Sequence, residues 1–447
     1  MRVVPKQLSP SQVLVSGLAV LVGAGTLLLW LPASAASQRL ALVDAFFTSV
    51  SAVCVTGLIV VDTSADLSLF GQLVVLILIQ TGGLGYMAIT TVVAAAVGRR
   101  LSVLERVTLQ EALNVQSMEG LIQFALTVFK LTLAFEVIGA LVLTARWAGE
   151  MGGWRAAYFG VFHAVSAFNN AGFTLFPDNL IRYRGDWIVN LVVCALVISG
   201  GLGFIVLTEL GRRRQGRRLT VHTRLVVTTS AFLIVAGTFV IFVLERTNPR
   251  TLGPLGPLEA MLAAFFQAVV PRTAGFNTLD IGGLMPPTLF VIMILMFIGA
   301  APGGTGGGVK VTTFSITVAA LWATVRGMTE PTVFHRRIPT PLVARAFFIS
   351  LIAFLALNAV AGLLLVSEGR ELLPTLFETT SAFGTVGLST GEGTPLSLAG
   401  HFSGTGKLLV AAMMFMGRIG PLTLAVAVAH GAGQPPIRYP EGKILVG

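Results

Sequence analysis

The sequence predicts an all-α integral membrane protein of four covalently linked repeats, with eight membrane-spanning helices and four short re-entrant helices around a central axis. Three observations carry this prediction. The chain is 54% hydrophobic and only 11% charged, where a soluble domain is about 25% charged. Its apolar runs of about 20 residues recur and are long enough to span a bilayer. Four stretches end in glycine: Cys54-Val55-Thr56-Gly57, Asn169-Asn170-Ala171-Gly172, Arg272-Thr273-Ala274-Gly275 and Gly384-Thr385-Val386-Gly387. Each is followed by an apolar residue (Leu58, Phe173, Phe276 or Leu388), and the glycines lie 115, 103 and 112 residues apart. A turn recurring at a near-fixed period marks an internal repeat. A second glycine motif keeps the register. Gly82-Gly83-Leu84-Gly85, Gly200-Gly201-Leu202-Gly203, Gly303-Gly304-Thr305-Gly306 and Gly417-Arg418-Ile419-Gly420 start 25, 28, 28 and 30 residues after the four turn glycines. Close packing between helices explains why glycine is tolerated there, but not why it falls in register four times.

The first repeat, residues 1–98, opens with an apolar run from Ser11 to Leu31. Pro32 and Ala33-Ser34-Ala35 after it imitate a cleavable leader. The run is long for a leader, and cleavage would remove a segment that the other repeats possess. Asp44 to Ala52 is too short to span and leads into the Gly57 turn, and Leu73 to Val97 is the second span. The second repeat, residues 107–211, has Leu121 to Thr144, the half-span Trp154 to Ala167, Gly172, and Trp187 to Leu210. The third, residues 222–326, has Leu225 to Leu244, Leu258 to Val270, Gly275, and a span from Leu289 interrupted by a glycine-rich loop at 299–310. The fourth, residues 340–432, has Leu342 to Val366, Glu371 to Ala382, Gly387, and Leu408 to Ala429, and residues 433–447 form a tail. Ser-Ala pairs precede three turns at one offset: Ser51-Ala52, Ser166-Ala167 and Ser381-Ala382.

Two spans per repeat return the chain to its starting side. The termini and the three inter-repeat loops then share one face, with 17 Lys and Arg against nine opposite. The loop carrying Arg212, Arg213, Arg214, Arg217, Arg218 and Arg224 is the most basic. The positive-inside rule makes both termini cytoplasmic, and the expected location is the cell's inner (plasma) membrane, as a multi-pass protein. The net charge of +10 therefore reflects membrane orientation, with lipid as a partner and no nucleic acid. Cys54 and Cys194 form no disulfide framework, and the five histidines are scattered. No nucleophile with a base, carboxylate pair or cofactor fingerprint is found. The Gly303 to Lys310 stretch lacks the adjacent Gly-Lys of a phosphate loop, because Val309 intervenes. The chain is not expected to be an enzyme.

Non-helical backbone inside a bilayer survives only where protein buries it or it lines a wet cavity. Four such turns can converge on one pore, and glycine opens the backbone angles that turn carbonyls inward. Carbonyl rings replace the hydration shell of a monovalent cation. Each half-span aims the negative end of its dipole at the same point. The four stretches, Cys54 to Gly57, Asn169 to Gly172, Arg272 to Gly275 and Gly384 to Gly387, thus read as one selectivity filter of helix–pore-loop–helix repeats. Pro302 and the glycines from Gly303 to Gly308 cannot continue a helix cheaply: proline costs about 3 kcal/mol and glycine about 1. The register sets this segment one layer below Gly275, where it can occlude the path. Lys310 and Arg418 add positive potential there.

On these motifs the chain resembles the Trk/Ktr/HKT superfamily of potassium transporters over nearly its whole length, and within it the Ktr-type membrane subunit. The first repeat begins at once, without the two further N-terminal helices of other members. The resemblance implies potassium as permeant ion, because a serine at the first filter glycine goes with sodium permeation and here Gly57, Gly172, Gly275 and Gly387 are all glycine. Sodium enters as a candidate activator or coupled ion. The resemblance also implies a gating loop at Gly303, Gly304, Thr305, Gly306, Gly307, Gly308 and Lys310, a homodimer with one pore per subunit, and a separate cytosolic ring that binds the nucleotide.

Further charged and polar residues need a place. Arg418 sits in the register of Gly83, Gly201 and Gly304, and a buried guanidinium is functional by default. It is either an electrostatic barrier or a structural group bonded to carbonyls. His163 and Glu378 share one repeat position, filled by Thr48 and Phe266 elsewhere, and read as braces for the half-helices or as direct ion contacts. Lys130 and Glu136 are six residues apart on one span, hence on different faces, and the sequence assigns them no function.

Overall fold

A computed structural model describes residues 9–96, 103–113, 120–212, 218–328 and 330–428. The first repeat has α1 (Pro10–Trp30), the half-helix α2 (Leu42–Val53), α3 (Leu69–Leu84) and α4 (Tyr86–Ala96). Helix α5 (Val103–Leu113) leads to the second repeat, α6 (Leu121–Met151), α7 (Gly153–Phe168), α8 (Trp187–Leu202) and α9 (Phe204–Arg212). The third has α10 (Val221–Glu245), α11 (Pro257–Val269), α12 (Pro286–Phe297) and α13 (Val311–Val325), followed by a small hairpin of β1 (Thr332–Val333) and β2 (Arg336–Arg337). The fourth has α14 (Thr340–Glu368), α15 (Leu372–Gly384), α16 (Gly404–Ile419) and α17 (Pro421–Val428). Local chemistry sets several starts. Ser9 and Gln12 form a capping box on α1, Ser68 caps α3, Asp186 caps α8 and Ser403 caps α16.

The first helix of each repeat is peripheral. In α1, α6, α10 and α14 only 22 to 28% of the apolar window is buried inside the protein, as expected of helices sharing their surface with lipid. Phe232, Val235 and Phe239 on α10 illustrate the outward face. The half-helices α2, α7, α11 and α15 are central, and the ends that lead into the glycine turns are buried. Helix α1 packs on α2, with Ser49 Oγ donating to Val22 O at 2.8 Å, so the leader-like run belongs to the first repeat's packing.

The second span of each repeat is broken, in the third as expected and in the other three where a continuous run was expected. Helices α3 and α4 meet at 90° and α8 and α9 at 102°. The break residues are Gly85 (φ 79°) and Gly203 (φ 87°), and Gly420 (φ 92°) separates α16 from α17. A residue at such φ cannot lie in a right-handed helix, and glycine adopts it freely. In the third repeat the break widens into the loop between α12 and α13. In the first, second and fourth motifs the first glycine has a different task. A methyl on Gly82, Gly200 or Gly417 would collide with the carbonyl oxygen of Val53, Phe168 or Phe383. Each of these second spans thus lies directly against the C-terminal end of its own half-helix.

Candidate functional site

Each half-helix ends at one of the four glycine turns, and the turns share one backbone pattern. The residue two before each glycine is left-handed: Val55 (φ 54°), Asn170 (φ 60°), Thr273 (φ 81°) and Thr385 (φ 49°). The glycines follow at φ 90°, 69°, 70° and 94°. The hydrogen bonds explain what this does. Val55 N donates to Ala52 O (3.1 Å), Thr56 N to Ser51 O (2.8 Å) and Gly57 N to Ser51 Oγ (3.1 Å). All three N–H groups point back into the half-helix. The peptides are trans, so the carbonyls of Cys54, Val55 and Thr56 point away from it. The fourth turn repeats this arrangement: Thr385 N donates to Ala382 O (3.1 Å), Val386 N to Ser381 O (2.9 Å) and Gly387 N to Ser381 Oγ (3.1 Å). In the second turn Asn170 N and Ala171 N bond back to Ala167 O and Ser166 O (3.1 and 2.7 Å).

The serines at the recurring offset are the staples of these turns. Ser51 Oγ also donates to Leu58 O (2.8 Å), and Ser166 Oγ donates to Phe173 O (2.7 Å). The third turn has Val269 at that offset and lacks the staple. There Ala274 N bonds back to Val270 O (2.9 Å), and the Arg272 side chain runs outward, Nη2 donating to Ser230 Oγ on α10 (2.9 Å).

The four turns form a closed ring in chain order. A methyl on Gly57 would strike Ala171 O and lie 3.1 Å from Gly172 Cα. One on Gly172 would lie 2.9 Å from both Ala274 O and Gly275 Cα. One on Gly275 would strike Val386 O and lie 3.2 Å from Gly387 Cα, and one on Gly387 would strike Thr56 O and lie 3.0 Å from Gly57 Cα. Thr56, Ala171, Ala274 and Val386 therefore each present a carbonyl to the neighbouring repeat's glycine. The four glycine-ending turns picked out by the sequence motifs thus come together in one ring.

The interrupting loop lies against one side of this ring. Gly307 N donates to Thr385 Oγ1 (3.0 Å), and a methyl on Gly306 would collide with Thr273 Oγ1. Both contacts fall on left-handed turn residues. The loop is tied to the second repeat by Thr305 N to Gly200 O (3.1 Å), Ala301 N to Gly201 O (2.9 Å) and Thr305 Oγ1 to Phe168 O (3.2 Å). Phe204 N reaches Gly303 O (3.0 Å), and the fourth repeat receives Gly308 N at Gly417 O (3.2 Å). Lys310 folds back on the loop, Nζ donating to Gly306 O at 2.6 Å. Arg418 adds the first repeat: its guanidinium donates to Thr305 O, to Gly82 O, and to Gly83 O at 3.2 Å. Of the two readings of Arg418, bonding to carbonyls is the one visible in the geometry.

His163 and Glu378 hold chain on the far side of the ring. Leu175 N donates to His163 Nε2 (3.4 Å), so that nitrogen accepts and Nδ1 carries the proton to Phe159 O (2.7 Å). Glu378 Oε1 accepts from Ala399 N at 2.9 Å. Lys130 is exposed on α6 while Glu136 is buried, as their spacing required. The sequence did not foresee that Glu136 meets the second turn, accepting from Asn169 Nδ2 at 3.0 Å. Its partners are Asn169 and Gln80, far along the chain, and no periodicity signals that contact. Arg99, Arg100, Arg213, Arg214, Arg217 and the tail lie outside the described residues.

Comparison with known proteins places this geometry. Residues 6–435 match the TrkH family, described as cation transport protein. A Bacillus subtilis relative, Ktr system potassium uptake protein B, is 41% identical over 98% of this chain and 97% of its own length. Potassium/sodium uptake protein NtpJ of Enterococcus hirae is 35% identical over 99% and 98%. The crystal structure of the potassium transporter TrkH from Vibrio parahaemolyticus superposes with a TM-score of 0.75 at 19% identity, covering 96% of this chain and 86% of that one.

Proposed function

The chain belongs to the TrkH cation transport family, and from that premise we propose that it is the ion-translocating membrane subunit of a potassium uptake system. Potassium passes the ring of glycine turns, where carbonyls take the place of its hydration water. The loop at 299–310 is the gate. A separate cytosolic ring that binds nucleotide controls it, docking on the basic face of a homodimer. The observation that carries the reading is the closed ring itself. Four half-helices aim their negative ends and a set of aligned carbonyls at one axis, an arrangement suited to a desolvated cation. The loop seated against that ring, bonded to the second and fourth repeats and joined to the first through Arg418, suits a closed path. The names of the Ktr-system relatives support potassium as the ion and a partner component in the system.

A second reading, sodium-coupled potassium transport on the same fold, is favoured by the Enterococcus relative named for both ions. Reversal potentials in proteoliposomes, with potassium and sodium gradients varied separately, distinguish the two. A channel follows the potassium gradient alone. A coupled transporter shifts with both gradients in fixed ratio. Absence of any potassium current or flux from a folded chain reconstituted together with its regulatory partner would remove both readings.

A further inference from the structure

A buried network behind the second turn has no counterpart in the other repeats among the described residues. Asn169 opens that turn, at the position held by Cys54, Arg272 and Gly384 elsewhere. Its Nδ2 donates to Glu136 Oε1 on α6 (3.0 Å), to Gln80 Oε1 on α3 (2.8 Å) and to Val165 O (2.9 Å). Gln80 Nε2 in turn donates to Glu136 Oε2 at 3.1 Å. Both oxygens of Glu136 therefore accept, which is the pattern of a carboxylate.

This arrangement fixes two amides at once. Gln80 presents its nitrogen to Glu136 and its oxygen to Asn169, and with both Glu136 oxygens accepting the three side chains satisfy one another. Gln80 Oε1 and Glu136 Oε1 then both demand the nitrogen of Asn169. The amide oxygen of Asn169 is forced to the other side. It lies against Gly83, where a methyl would collide with it. There Oδ1 is fully buried and makes no hydrogen bond among the described residues. Buried polar atoms without a partner are rare and costly, and each calls for an explanation. Gly83 belongs to the layer that receives Arg418, on the loop side of the ring.

We propose that Asn169 Oδ1 is a side-chain ligand for a monovalent cation at the loop-side end of the glycine ring, and that Glu136 is the positioning residue that turns it there. This rests on the ring being the permeation path. Cys54, Arg272 and Gly384 offer no side-chain oxygen at the equivalent positions, so the ligand is single and the site asymmetric.

The test uses the full chain in proteoliposomes, with rubidium and sodium uptake as readouts and the thermal unfolding midpoint as a control for folding. Glu136→Gln supplies a nitrogen where Gln80 and Asn169 need an acceptor, and Asn169→Ala removes the ligand. Each is expected to raise the rubidium concentration for half-maximal uptake about tenfold, the effect of one lost polar contact. The exchange Gln80→Glu with Glu136→Gln rebuilds the same network in mirror image, with the carboxylate moved from α6 to α3. It is expected to return half-saturation to within about twofold of the native value, since the two changes are directly coupled. Unchanged half-saturation in a folded Asn169→Ala protein overturns the proposal, and so does a folded exchange variant that fails to recover. If Glu136→Gln alone does not fold, Asn169→Ala and the exchange still decide. Gly57→Ser separates this inference from the reading beneath it. Altered rubidium-to-sodium preference there, with Asn169→Ala native-like, leaves the ring standing and the inference fallen. No effect in either variant brings down the ring.

Discussion

Gly57 and Gly387, near opposite ends of the chain, lie against each other: a methyl on Gly387 would sit 3.0 Å from Gly57 Cα and collide with Thr56 O. This contact closes the ring between the first and last repeats. Any side chain here meets backbone, which cannot move aside as a flexible side chain would, and at φ 90° or 94° it is also strained. The substitution Gly57→Ser is therefore expected to distort the ring and raise sodium permeation. A loss of about tenfold in potassium-over-sodium preference corresponds to about 1.4 kcal/mol of discrimination between the two ions. Paired potassium and sodium uptake in a transport-deficient strain measures it. Native preference in a well-expressed variant would count against a filter at Gly57.

Deleting residues 303–308 is expected to raise potassium flux and weaken its dependence on the regulatory partner. Few-residue hinge motion is enough to gate such a path. Potassium efflux from loaded proteoliposomes is the measurement. Flux falling to zero in a folded protein would make the loop a plug or part of the conducting path instead.

Arg418→Ala removes the donors to Thr305 O, Gly82 O and Gly83 O in one step. Basal flux should rise, because the loop loses its tie to the first repeat and the path loses a positive charge. The unfolding midpoint should fall, since hydrogen bonds to a charged group contribute about 1.5–3 kcal/mol each. A flux unchanged from the native protein would confine Arg418 to a structural role.

The serine staples give a prediction about stability alone. Ser381→Ala leaves the part-buried Gly387 N without its acceptor and is expected to cost about 1 kcal/mol. Ser51→Ala should cost more, because both Gly57 N and Leu58 O lose their partner. Thermal unfolding in detergent reads the order. Two variants as stable as the native chain would mean that water replaces the serines.

Neutralising Arg212, Arg213 and Arg214 together is expected to weaken capture of the cytosolic regulator in a pull-down. Anionic lipid accounts for about 1 kcal/mol per basic residue near the surface, so the assay is run in detergent without anionic lipid. Retained capture and nucleotide response would take these arginines out of the interface.

The fold was legible because its determinants repeat. The four turn glycines and the four lower glycine motifs are local and periodic, and each marks a backbone event: a ring contact, a close approach to Val53, Phe168 or Phe383, or a broken helix. The breaks at Gly85 and Gly203 were hidden because Leu73 to Val97 and Trp187 to Leu210 are apolar almost throughout, and hydropathy does not register a change of direction. The left-handed residues Val55 and Thr385 were hidden too, since neither residue type favours that conformation and the half-helix bonds impose it. The contact of Glu136 with Asn169 and Gln80 joins two repeats, and nothing local in the sequence encodes it.

Arg418 reaches the first and third repeats from the fourth, and no equivalent guanidinium stands at Gly83, Gly201 or Gly304. Four identical subunits around an axis would have to carry either four such cations or none. Four would crowd one another in a medium that screens charge poorly. A single chain escapes that arithmetic. Joining the quarters end to end frees each to diverge, so one latch, one glycine-rich strap and one side-chain amide can each occupy a single corner of an otherwise four-cornered frame.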